Sequence, residues 1–225
     1  MNENELFSKY FDHTILKPYI NDNDLITVAN ECIENDFKMI AINSCQVKRA
    51  KELLGKTNIN IGAAVGFPLG QQTIRVKVFE TLDAIENGCD EIDYVINITE
   101  LKNRNYEYIK EEMMQIVKTC RQHSVISKVI IEICYLTDDE IVKCCEIAND
   151  IKPDFVKTST GFGEYGATVE AVKLMKRTLL PSISIKAAGG IRDLDTVLNY
   201  IKLGVSRIGT SNSVEILKEY SLKND

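Results

Sequence analysis

The sequence predicts a single α/β domain over residues 1–225, folded as a closed TIM-type (β/α)8 barrel. Short strand-like segments alternate with amphipathic helical stretches from one end of the chain to the other. Several of the strand segments are continuously apolar, as expected of parallel strands covered on both faces. Eight strand–helix units in 225 residues suit a closed parallel barrel at the small end of its size range. An open doubly wound sheet is the competing arrangement, because alternation alone does not require closure. No linker or low-complexity stretch divides the chain.

The strand candidates, in order, are residues 10–13, 38–43, 59–65, 91–97, 128–134, 154–157, 183–186 and 207–209. The helices between them have recognisable starts and stops. Asn21-Asp-Asn-Asp24 precedes the apolar Leu25, and Thr137-Asp-Asp-Glu140 forms a capping-box pattern before Ile141. In that pattern the first side chain takes a backbone N–H of the first turn, and the fourth reaches back to the cap. Thr168 and Asp193 offer similar caps, while Gly55, Gly88 and Gly204 fall where helices should stop.

Composition excludes several function classes. A net charge of −6 without a clustered basic stretch argues against nucleic acid as a partner. No apolar run is long enough to cross a bilayer, and residues 1–9 are too polar for a signal peptide. Seven cysteines without regular spacing suit a reducing, cytoplasmic compartment. Cys120 and His123 have Cys-x-x-His spacing, but a structural zinc needs four ligands, so a buried thiol and an exposed imidazole at a helix end is the expectation. His13 is the only other histidine. No metal and no cofactor is expected.

In a parallel barrel the active site lies at the C-terminal ends of the strands. Those ends carry Asp12, Asn43, Gly66, Asp93 with Asn97, Glu132, Lys157, Lys186 and Gly209. Lys157 and Lys186 each close an apolar run just before a small-residue loop, Thr-Ser-Thr-Gly161 and Ala-Ala-Gly-Gly190. A lysine is costly at the end of a buried strand, so the matched pair points to amine chemistry. At about 5 Å and an effective dielectric of about 20, two ammonium groups repel by roughly 3 kcal/mol, or about two pKa units. That leaves one lysine with the neutral fraction a Schiff-base nucleophile requires. Asp93, in an otherwise apolar strand, needs a partner, and a nearby lysine would form a proton relay with it. Asp12 is a candidate for the same network, whereas Lys17 is expected to face solvent.

Gly189-Gly190 and Gly209-Thr-Ser211 follow the seventh and eighth strand candidates, where barrels commonly bind phosphate through backbone N–H groups. Arg192 would add charge, and Gly161 lies beyond Lys157. The expected partner is a small phosphorylated carbonyl compound.

Five motifs then follow one another in order: Asp12-His-Thr-Ile-Leu-Lys-Pro18, Val65-Gly-Phe-Pro-Leu-Gly70, Glu91-Ile-Asp-Tyr-Val-Ile-Asn97, Val156-Lys-Thr-Ser-Thr-Gly-Phe162 and Lys186-Ala-Ala-Gly-Gly-Ile-Arg192. With them the chain resembles the deoxyribose-phosphate aldolase family from about residue 10 to residue 217. The resemblance implies a metal-free class I aldolase that reversibly cleaves 2-deoxy-D-ribose 5-phosphate to acetaldehyde and D-glyceraldehyde 3-phosphate, in deoxynucleoside catabolism. It implies Lys157 as the Schiff-base residue, Lys186 as its tuning and proton-transfer partner, and Asp93 as proton donor and acceptor. It places Gly161, Gly189, Gly190, Gly209 and Ser211 at the sugar phosphate and suggests a homodimer; Thr160, Asp12 and Arg192 are further substrate-site candidates.

The chain departs from the family pattern at four places. Asn43-Ser44-Cys45 replaces an Asn-Pro sequence, Ala41 stands where many relatives have cysteine, Thr99-Glu100 replaces a glycine-containing turn, and Ile133 replaces threonine. None of these touches Lys157, Lys186 or Asp93. Other readings are a transaldolase-like Schiff-base barrel, a phosphosugar isomerase or epimerase without a covalent lysine, and a catalytically silent barrel that only binds a phosphorylated metabolite.

Overall fold

In the computed structural model, which describes residues 3–224, the eight strands close into one parallel barrel in sequence order. A short helix α1 (Glu3–Ser8) leads into β1 (Phe11–Thr14), followed by α2 (Asp22–Glu34), β2 (Met39–Asn43), α3 (Val47–Leu54), β3 (Asn60–Val65) and α4 (Ile74–Glu86). Then come β4 (Glu91–Val95), α5 (Ile98–Lys102), α6 (Tyr106–Gln122), β5 (Ile126–Ile130), α7 (Asp138–Ile151), β6 (Phe155–Lys157) and α8 (Val169–Thr178). The chain ends with β7 (Ser184–Ala188), α9 (Leu194–Lys202), β8 (Arg207–Thr210) and α10 (Ser213–Asn224). β1 pairs with both β2 and β8, which excludes the open sheet.

The caps form as the sequence suggests. Asn21 and Asp24 make a reciprocal capping box at α2, and Thr137 and Glu140 make one at α7. Thr168 caps α8 and Asp193 caps α9 through backbone N–H groups of the first turn. Gly88 and Gly204 both adopt positive φ just after α4 and α9, the left-handed step that turns the chain out of a helix.

Three strands differ from expectation by two residues or more at an end. The fourth ends at Val95 rather than residue 97, the fifth runs from Ile126 to Ile130 rather than from 128 to 134, and the seventh runs on to Ala188 rather than ending at 186. Past Ile130 the chain follows its own path: Glu132 is left-handed (φ 54°) and a single 3-10 turn covers Ile133–Tyr135. Apolar character therefore extends beyond the ladder, because the loop packs against the barrel rim.

Alternation along the strands sorts residues into two layers. Ile40, Ile61, Ile92, Val129, Val156, Ile185 and Ile208 join the apolar core between strands and helices. Residues of opposite parity fill the barrel axis, where branched apolar side chains usually stack. Here the axis instead holds Asp12, Glu91, Asp93, Lys128, Lys157, Lys186 and Arg207, all buried.

A second buried ion pair lies outside the strands. Lys77 of α4 and Glu112 of α6 meet at 2.6 Å, both fully buried. Lys77 also donates to Val95 O at 2.7 Å, and Glu112 accepts from Asn97 N–H at 2.9 Å. The pair therefore anchors the end of β4, the strand that carries Asp93.

Candidate active site

The register of β6 and β7 puts Lys157 directly opposite Lys186, with both side chains inside the barrel. Asp93 enters from β4, two strands away. Its Oδ2 accepts from Lys157 Nζ at 2.8 Å and from Lys186 Nζ at 2.7 Å. Its Oδ1 accepts from Lys128 Nζ at 2.6 Å. Lys128 also pairs with Glu91 at 2.5 Å, and Lys186 also pairs with Asp12. Arg207 spans Asp12, at 2.5 Å, and Glu91, at 3.0 Å.

Electrostatics separate the members of this cluster. Burial lowers the pKa of Lys157 from the ordinary 10.5 to about 8; Asp93 opposes the shift, while Lys186 and Lys128 reinforce it. The neutral fraction at pH 7 is then roughly 300 times that of an ordinary lysine. Lysine–lysine repulsion, the cause expected from the sequence, contributes, but burial is the larger effect. For Asp93, burial pushes the carboxyl upward, but Lys128, Lys157 and Lys186 outweigh it and hold the group well below the usual carboxylate range. Asp93 is thus an anion that organises amines.

Lys157 (4% exposed) reaches the floor of an open cavity of about 920 Å³, whereas Lys186 (0%) and Asp93 (3%) stand behind it. Thr160 and Gly161 form one wall of the cavity. Gly189, Gly190 and Arg192 form a second, and Gly209 with Ser211 a third. Gly189 and Gly190 have φ of +86° and +75°, which only glycine adopts without strain. Gly189 is also crowded: a Cβ there would lie 2.8 Å from Gly166 Cα and 3.3 Å from Gly161 Cα. The loops after β6 and β7 therefore touch through bare backbone. α10 begins two residues beyond Ser211, so its positive end lies beside the same wall.

The structure brings Lys157, Lys186 and Asp93 together, and seven of the eight expected substrate-site residues line the cavity. Asp12 is the exception. It is fully buried beneath Lys186, in contact with Lys186 and Arg207, because the strand places it one layer below the mouth. Lys17 is exposed as expected, on the rim of the cavity with its ammonium over the Tyr19 ring.

Sequence reasoning missed Lys128, Glu91 and Arg207 as members of the cluster. The available signal was parity: Glu91 lies two residues before Asp93 and Arg207 two before Gly209, so each shares an inward face. Glu132 was seen only as a strand-end acid. Its carboxylate accepts from Thr160 N–H and Oγ–H and secures the loop after Lys157, and burial raises its pKa against those bonds.

The departures from the family pattern also have defined places. Ser44 donates to Glu80 Oε1 at 2.7 Å while Gly66 N–H donates to Glu80 Oε2, which ties the loops after β2 and β3. Thr99 donates to Gln71 at 2.9 Å. Cys120 is buried and His123 is the exposed C-cap residue of α6. Among the described residues no group of three or more His, Cys, Asp and Glu is placed to hold a metal ion. Nor is any described helix long and apolar enough to cross a membrane.

Comparison with known proteins points the same way. The sequence profile described as DeoC/LacD family aldolase matches residues 6–210. The deoxyribose-phosphate aldolase of Lactobacillus acidophilus is 52% identical over 210 residues, covering 93% of this chain and 89% of that protein. The deoxyribose-phosphate aldolase of Thermococcus kodakarensis is 46% identical over 220 residues, covering 97% and 98%. A solved deoxyribose phosphate aldolase from Aeropyrum pernix, described as tetrameric, superposes with a TM-score of 0.90 at 26% identity, covering 98% of this chain and 93% of that one. The chain belongs to the DeoC/LacD family of aldolases.

Proposed function

We propose that this protein is a lyase of class I type, cleaving 2-deoxy-D-ribose 5-phosphate reversibly to D-glyceraldehyde 3-phosphate and acetaldehyde through a Schiff base on Lys157. The observation that carries this reading is a buried lysine, its pKa brought down to about 8, on the floor of a cavity with glycine-rich walls. Neutral Lys157 attacks the aldehyde carbon of the open-chain sugar, and loss of water from the carbinolamine gives an iminium. A base removes the hydroxyl proton on the third carbon. The electrons of the bond between the second and third carbons then flow to the iminium, releasing glyceraldehyde 3-phosphate. Protonation of the enamine and hydrolysis release acetaldehyde and return the free amine.

Asp93 and Lys186 are placed to move these protons, since Lys186 donates to the same carboxylate oxygen that holds Lys157. Asp93 alone is a weak base, so proton removal runs through the Asp93–Lys186 pair or through water bound to it. The phosphate sits against Gly189, Gly190, Gly209 and Ser211, with Arg192 at the rim and Thr160 and Gly161 on the facing wall. The protein works in the cytoplasm, in line with its seven free thiols, as a homodimer whose mass light scattering in solution would check.

Trapping with acetaldehyde and borohydride, followed by peptide mass spectrometry, tests the assignment. A reduced two-carbon adduct on Lys157, absent from Lys157→Ala, is expected. A folded protein that binds the sugar phosphate without any adduct would overturn it.

A further inference from the structure

The seven charged side chains on the barrel axis are not a loose cluster. Traced contact by contact, six of them form a closed ring of alternating sign: Lys128–Glu91, Glu91–Arg207, Arg207–Asp12, Asp12–Lys186, Lys186–Asp93 and Asp93–Lys128. Three cations and three carboxylates make this ring neutral. Lys157 stands outside it, attached among the described residues only through Asp93 Oδ2. With Lys157 protonated the axis carries one surplus positive charge; with Lys157 neutral it carries none. A net charge in a buried, poorly solvated site is costly, so the fold favours the neutral amine at the one position where nothing remains to balance it.

Within the ring Lys128 has a particular place. It is fully buried, it does not line the cavity that Lys157 reaches, and its third neighbour is the sulfur of Met39 at 3.4 Å. It occupies the Asp93 oxygen that Lys157 and Lys186 leave free. Without it, Asp93 would be under-compensated, and Lys157 would be held as an ammonium to balance it. We propose that Lys128 is a positioning residue that closes the neutral ring, and so makes Lys157 the supernumerary cation that gives up its proton. This rests on Lys157 being the Schiff-base nucleophile.

The other groups facing the axis fit this account. β2 contributes Met39 and β3 contributes Asn60, both uncharged; Asn60 donates to Glu91 at 2.6 Å. Glu132, beyond β5, faces Lys157 from the mouth but forms no ion pair among the described residues, its oxygens taken by Thr160 and Cys134. His13 points out of the barrel to Glu31 at 2.8 Å.

Three variants separate this role from plain structural support: Lys128→Met, Glu91→Gln and the two combined. The readout is the pH midpoint for acetaldehyde-adduct formation on Lys157, trapped with cyanoborohydride and quantified by peptide mass spectrometry. Lys128→Met leaves three cations against three carboxylates with Lys157 counted, so its midpoint moves to higher pH by about one to two units. The upper end corresponds to a unit charge about 6 Å away at an effective dielectric of about 20, and rearrangement of the remaining ring lowers it. Glu91→Gln removes an anion and moves the midpoint the other way. The double variant restores one surplus cation and returns the midpoint to within about half a unit of the native value.

A structural lysine would lower thermal stability and turnover without moving the midpoint, and that result in Lys128→Met overturns the proposal. A double variant that keeps the shift of Lys128→Met does the same. Should Lys128→Met fail to fold, Glu91→Gln decides alone: a midpoint unmoved or raised is contrary. Absence of any Lys157 adduct in the native protein at every pH is a different failure. It removes the nucleophile assignment itself, and this inference falls with it.

Discussion

Replacing Lys186 by leucine should convert Lys157 from a nucleophile usable near neutral pH into an ordinary ammonium. Both amines donate to one oxygen of Asp93, at 2.8 and 2.7 Å, so their nitrogens lie no more than about 5.5 Å apart. At about 5 Å and an effective dielectric of about 20, their repulsion is roughly 3 kcal/mol, or about two pKa units. Removing it lets Asp93 hold the Lys157 proton and moves the amine from about 8 toward 10. At pH 7 the neutral fraction then falls from about one in ten to about one in a thousand. Schiff-base formation with acetaldehyde, followed by rapid quench with borohydride, should slow by about 100-fold at pH 7. Because only the neutral amine reacts, the rate climbs with pH up to the pKa. The variant's limb should therefore run parallel to the native one, about two units to the alkaline side, and the two should converge above about pH 10. Loss of a proton shuttle alone would instead lower the rate by the same factor at every pH. A variant whose midpoint stays near 8 would refute the coupling and leave burial as the whole cause.

Two further outcomes follow from the same geometry. Lys157→Met leaves the neutral ring intact and removes a lysine whose folded-state pKa, about 8, lies below its unfolded value near 10.5. Between those values the unfolded chain binds the extra proton, so this group's contribution to stability rises with pH across that window. Below about pH 8 it costs roughly 3 kcal/mol. Urea unfolding should therefore show the inactive variant more stable than native at pH 7, with the gap closing by pH 10; equal stability at pH 7 would contradict this. Gly189→Ala and Gly190→Ala should part company. The first drives a Cβ into the backbone of Gly166 and Gly161 and should destabilise the fold by several kcal/mol, whereas the second meets open space and should cost only about 1–2 kcal/mol for its positive φ. The Gly190 methyl should nonetheless weaken inorganic phosphate binding at least tenfold by calorimetry, and an unchanged affinity would remove Gly190 from the anion site.

Much of the molecule was legible in one dimension because its signals are local. Continuous apolar runs separated by capped amphipathic helices determine parallel strands and their number, and Thr137 with Glu140 marks a helix start without reference to anything distant. The lysines at the ends of two runs, and the aspartate within a third, announced themselves because charge is costly in a covered strand. The glycine-lined wall of the cavity was legible for a separate local reason, since the paired glycines after the seventh strand mark backbone of positive φ that side chains strain.

Tertiary structure decided which charges meet and in what order. Glu91, Lys128 and Arg207 each look like an unremarkable strand-entry residue, and only barrel closure, which pairs β8 with β1, turns them into links of one ring. Closure also decided that Asp12 lies beneath Lys186 rather than at the mouth, because joining β1 to β8 brings it against Arg207 and Lys186. The buried Lys77–Glu112 pair was hidden likewise, because a charged residue on an amphipathic helix reads as solvated until a neighbouring helix covers it. The physical reason is common to all three. Secondary structure follows from neighbours along the chain, whereas the charge state of Lys157 depends on its burial and on the fields of Asp93, Lys186 and Lys128 from three other strands, and both exist only once the barrel has closed.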